Sequence, residues 1–122
     1  MEGEKLMGTS NYQLSANRYR ELKAFCRQYG ERKAELERTE KMIFSDGSDV
    51  TSKTAVRIRD LRYAIDLIEK TAMDTAPLYY EAILRAVTED VSIGRIDSDI
   101  LRGEFMELLY KFYYLLGERK GV

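Results

Sequence analysis

Residues 101–116 (LRGEFMELLYKFYYLL) constrain the fold more than any other part of the chain. On a 3.6-residue repeat, Leu101, Phe105, Leu108, Leu109, Phe112, Leu115 and Leu116 form one apolar face. Met106, Tyr110, Tyr113 and Tyr114 form a second. Charge is confined to a strip of Glu104, Glu107 and Lys111, with Arg102 apart. A helix apolar around most of its circumference is covered on two sides or lies in an interface. The segment therefore predicts a central C-terminal helix, with its tyrosine side as a candidate partner surface through Met106, Tyr110, Tyr113 and Tyr114.

The rest of the chain reads as helix too. There is one proline, and β-branched residues do not alternate with polar ones. Residues 1–13 are polar and unpatterned and are expected as a flexible N-terminal arm. Residues 14–122 are expected as a single helical domain, a length that suits one hydrophobic core. Ser15 is placed as an N-cap, and Tyr19, Leu22, Phe25, Cys26 and Tyr29 follow at helical spacing. Gly30 either ends or kinks this helix. A charged helix over residues 31–44 follows, then a loop at residues 45–52 (SDGSDVTS). Thr51 or Ser52 caps a third helix with the stripe Ile58, Leu61, Ala64, Ile65, Ile68 and Ala72. Val56, Tyr63 and Leu67 lie on its other side, a pattern that predicts cover twice over. Pro77 breaks the chain and opens a short helix over residues 77–87. One further short helix is expected at residues 92–96. The expected fold is an all-α bundle of four to six helices.

Composition removes several kinds of function. The 122 residues carry a net charge of −1, so no global field draws in nucleic acid or an acidic membrane. No run of about 18 apolar residues offers a membrane span. The N-terminus has no apolar signal core, so a cytoplasmic location is expected. Cys26 is the sole cysteine and excludes an intramolecular disulfide. Histidine is absent, which removes the commonest general base and metal ligand and every Ser-His or Cys-His nucleophile system. Cys26 beside Phe25 on an apolar face reads as structural.

The loop Asp46-Gly47-Ser48-Asp49 begins like a calcium loop. An EF-hand would want oxygen ligands at the fifth and twelfth positions, where Val50 and Arg57 stand. It reads as a solvated turn, and Asp90, Asp97 and Asp99 read as helix-flanking residues. No glycine-rich phosphate loop or dinucleotide fingerprint occurs. The expectation is a non-enzyme with no cofactor, no metal and no small-molecule substrate.

Local charge is more informative than the total. Between residues 15 and 44, eight basic residues face five glutamates, an excess of three positive charges, with Tyr19 and Tyr29 among them. Arg18, Arg20, Lys23 and Arg27 from this region, and Arg57, Arg59 and Arg62 from the third helix, are candidate phosphate contacts.

The segments NRYRELKAFCRQYGERKAEL, TSKTAVRIRDLRYAIDLIEKTA, ILRAVTEDVSIGRI and FMELLYKFYYLL together resemble small prophage proteins of Gram-positive bacteria, akin to late transcription regulators of the ArpU/RinA kind. The resemblance spans roughly residues 15–120. It implies a sigma-factor-like helix-turn-helix in the C-terminal half, with Val91-Ser92-Ile93 opening its first helix and residues 97–99 as its turn. The aromatic helix would then be the recognition helix, with Lys111 toward DNA, in a bacterial cytoplasm. Residues 88–122 depart from such a reader, because five basic residues there face seven acidic ones.

Two functions fit these observations. One is a phage-type transcription regulator that binds double-stranded DNA. The alternative is a non-catalytic interaction module, a homodimer or a binder of a phage or host protein, working through its tyrosine face. The first expects arginines gathered on one exposed face; the second expects an exposed apolar patch or its burial between two copies.

Overall fold

The computed structural model describes residues 5–9, 11–46, 51–89 and 102–120. They form β1 (Leu6–Thr9), β2 (Tyr12–Ser15), α1 (Ala16–Arg27), α2 (Tyr29–Asp46), α3 (Ser52–Thr75), a 3-10 turn (Pro77–Tyr79), α4 (Tyr80–Thr88) and α5 (Arg102–Arg119). The predominantly helical, all-α class is as expected.

The cap residues work as their chemistry dictates. Ser15 Oγ accepts from the Arg18 amide at 3.1 Å, and Thr51 Oγ1 accepts from the Thr54 amide at 3.1 Å. The break between α1 and α2 falls at Gln28, two residues before Gly30. Arg32 accounts for the difference. Its guanidinium donates to the Phe25 carbonyl at 3.0 Å and to Gln28 Oε1 at 2.8 Å, satisfying the end of α1 from the first turn of α2. No left-handed residue is needed there, so Gly30 simply continues α2. Ser45 and Asp46, expected in the loop, extend α2.

The core lies where α1, α3, α4 and α5 meet. Phe105, Leu109, Phe112, Tyr113 and Leu116 of α5 are buried against Leu22 and Cys26 of α1, Ile65, Ile68 and Ala72 of α3, and Ile83 and Val87 of α4. Of the first face of α5, Phe105, Leu109, Phe112 and Leu116 are buried, as its periodicity predicts, and Leu108 and Leu115 are half-buried; Leu101 lies outside the described residues. On α3 the expected stripe is buried from Leu61 onward, while Val56 and Tyr63 are exposed and Leu67 is half-buried, so double cover is realised only at Leu67.

Part of the expected N-terminal arm is an antiparallel hairpin. Met7 pairs with Leu14 and Thr9 with Tyr12. These four side chains are all half-buried, on one face of the ribbon. The ladder continues through the Ala16 amide to the Lys5 carbonyl at 2.8 Å. Gly8 has φ +118°, and a Cβ there would lie 2.0 Å from the Tyr12 carbonyl oxygen, so only glycine fits. The strands were hidden in the sequence because each has four residues and Leu6, 57 % exposed, points away from the packed face.

Candidate functional site

The basic candidates separate into three groups once folded. On α1 the buried side chains are Leu22 and Cys26. Arg20, Lys23 and Arg27 recur at i, i+3 and i+7 on a different side, with Arg20 and Arg27 exposed and Lys23 half-buried. Arg20 donates to Asn17 Oδ1 at 2.8 Å within the same helix. The Lys23 ammonium stands 5.5 Å from the Tyr19 ring centroid, within cation–π range. Arg27 occupies the last turn, where its charge complements the helix dipole. The one carboxylate of α1, Glu21, lies on the other flank and pairs with Arg18 at 3.1 Å. Arg18 itself turns inward and donates to the Gly117 carbonyl at 3.2 Å. It ties α1 to α5 and leaves the stripe.

The α3 arginines do not form one face. Arg57 grips Glu35 of α2 in a two-pronged pair, Nε at 2.6 Å and a terminal nitrogen at 2.7 Å. That pairing holds the Glu35 carboxyl below the usual carboxylate range. Arg62 pairs with Glu40, and Arg59 has Asp60 at 3.5 Å. The five-residue step between Arg57 and Arg62 places them on opposite flanks of α2, so their role is to brace the α2–α3 pair. Lys111 is half-buried and donates to the Thr75 carbonyl at 3.2 Å, closing the end of α3. As placed here, Lys111 faces its own fold. The residues 91–99 assigned to a helix-turn-helix lie outside the described residues, as do Asp90 and most of the Asp46–Asp49 loop.

A basic cluster that the sequence does not announce sits at the α1–α2 junction. The Arg32 guanidinium lies 4.5 Å and the Lys120 ammonium 3.9 Å from the Phe25 ring centroid. Burial, then Arg18 and Arg32, push the Lys120 ammonium below its ordinary range. Phe25 and Lys120 are distant in sequence, and no local pattern joins them.

The tyrosine face is covered in part from within. Tyr12 of β2 packs edge-on to Tyr114 at 5.6 Å between centroids, and Tyr19 of α1 meets Tyr113 at 5.0 Å and Tyr110 at 6.0 Å. Tyr113 is buried, and burial drives its phenol far upward in pKa. Met106, Tyr110 and Tyr114 are half-buried. Tyr12 and Tyr19 thus cover part of the second face of α5, the candidate partner surface, from within the fold.

Cys26 is fully buried, and desolvation pushes its thiol up to about 12. No group of three or more His, Cys, Asp or Glu side chains placed to hold a metal occurs among the described residues. No helix among them is long and apolar enough to cross a membrane. Compared with protein-family models, curated proteins and solved structures, the chain matches none.

Proposed function

We propose that the chain is a non-catalytic, phage-type DNA-binding regulator that contacts the phosphates of a duplex through α1. The observation that carries this reading is the stripe Arg20, Lys23 and Arg27, three cations on one outward side of α1 with Glu21 turned to the other. A row of cations on one helix side follows a phosphate backbone and releases its counterions. Tyr19 and Tyr110 border the row, and Arg32 and Lys120 at Phe25 add positive potential at the neighbouring junction. The resemblance to prophage late regulators points the same way. Arg57, Arg62 and Lys111 are left out of the contact set because they are engaged with α2 or with the α3 terminus, and Arg59 because, with its two neighbours engaged, α3 presents no row of cations.

Contacts of this kind position a protein on DNA without reading bases. The reading therefore predicts weak, sequence-tolerant binding by these residues. Its test is anisotropy of a labelled duplex at low salt, with wild type beside Arg20→Ala/Lys23→Ala/Arg27→Ala and Arg57→Ala/Arg59→Ala/Arg62→Ala. Loss confined to the first variant supports it. Equal affinity for wild type and the first variant overturns it.

A further inference from the structure

The distal half of the α2–α3 pair stands outside the core. No described residue from 37 to 60 contributes to the core cluster. Arg57 and Arg62 brace this half from α3. On one flank, Glu40, Ile43 and Phe44 of α2 and Ala55, Ile58 and Arg62 of α3 enclose an open groove of about 300 Å³. Phe44 is 91 % exposed at its edge. The groove is large enough for an aromatic side chain, and an unfilled aromatic beside it is an unpaired knob next to a hole.

The charge on this flank says what fits it. By helical spacing about the groove residues, α2 presents Lys33, Glu37 and Glu40 on the groove side and α3 presents Arg59, Arg62 and Asp66. Glu40 and Arg62 pair with each other. Glu37 is exposed, and Arg59 is 74 % exposed, with its sequence neighbour Asp60 at 3.5 Å. The two helices run antiparallel, with Tyr29 bonded to Glu69 and Phe44 beside Ala55. The same register sets Glu37 level with Leu61, within one turn of Arg59.

We infer that this flank is an isologous interface for a second copy of the chain. A two-fold axis running along the pair lays each α2 over the partner's α3 at the same height. Phe44 then enters the partner's groove over Ala55 and Ile58, and Glu37 meets the partner's Arg59. Both contacts occur twice, and the four helices close into a bundle. Charges of opposite sign then stand at matching heights, Glu37 by the partner's Arg59 and Lys33 by the partner's Asp66, and select this arrangement.

Sedimentation equilibrium of the whole chain at micromolar concentration tests the inference. Wild type is expected at twice the 14.2 kDa chain mass, and Phe44→Glu at the monomer mass with an unchanged circular dichroism spectrum, since an exposed side chain is not needed for folding. Glu37→Arg alone and Arg59→Glu alone set like charges against each other and are expected as monomers. An equimolar mixture of those two restores both pairs and returns the dimer. A wild-type monomer throughout the range, a dimer that survives Phe44→Glu, or a mixture that stays monomeric would each overturn the inference.

Discussion

The guanidinium of Arg18 donates a 3.2 Å hydrogen bond to the carbonyl of Gly117, 99 residues further along the chain. The contact exists because Gly117 has no side chain. A Cβ there would lie 3.3 Å from Leu22 Cδ1 and 3.7 Å from Leu14 Cδ2, so α1 and β2 approach the α5 backbone directly. Gly117→Leu would overfill this junction and is expected to cost about 1–3 kcal/mol. Urea denaturation measures it, and an unchanged midpoint would contradict the close approach.

Phe112 is fully buried at the centre of the core, edge-on to Tyr113 at 5.2 Å. Phe112→Ala should cost about 3–5 kcal/mol, the transfer term plus the cavity left behind. A loss under about 1 kcal/mol would mean that α5 is not the central element.

The hairpin depends on Gly8. Gly8→Ala places a Cβ where the Tyr12 carbonyl stands, in a conformation with φ +118°. The strand pair should open while the helices persist. Hydrogen exchange at the Ala16 amide, bonded to the Lys5 carbonyl, should accelerate strongly. Equal protection in the variant would show that the ribbon tolerates the side chain.

The buried acids set a direction for pH. Cys26 is raised to about 12 from an ordinary thiol value, chiefly by burial, and Tyr19, Tyr29 and Tyr113 are raised chiefly by the same cause. The native state holds these protons to higher pH than the unfolded chain does. Their stabilisation is complete below the unfolded values and is lost as pH climbs through the folded ones. Melting temperature should therefore fall progressively above about pH 9. Cys26 should label slowly in the native state and fast in denaturant. A flat profile to pH 11, or rapid native labelling, would contradict the burial.

Much of the helical frame was legible because its signals are local. Ser15 and Thr51 are short-range caps, Pro77 marks a break, and the α3 and α5 stripes repeat every turn. Pairings across the fold were not legible. Glu35 and Arg57 are both visible in the sequence, yet only the register of two helices brings them together. Tyr12 covers Tyr114 because a four-residue strand, too short to show an alternation, carries it there. The candidate site was half legible for the same reason. The α1 stripe is a property of one helix, whereas Arg57, Arg62 and Lys111 looked available until their partners on other elements were known.

Phosphate contact through α1 shows itself in the salt dependence of duplex affinity. Each phosphate neutralised contributes about −0.9 to the slope of log affinity against log salt. Arg20→Ala/Lys23→Ala/Arg27→Ala is expected to lower the magnitude of that slope by roughly two to three, one step of about 0.9 for each contact removed, while Arg57→Ala/Arg59→Ala/Arg62→Ala leaves it as in wild type. An identical slope for wild type and the α1 variant, or a slope lost with the α3 variant, would contradict it.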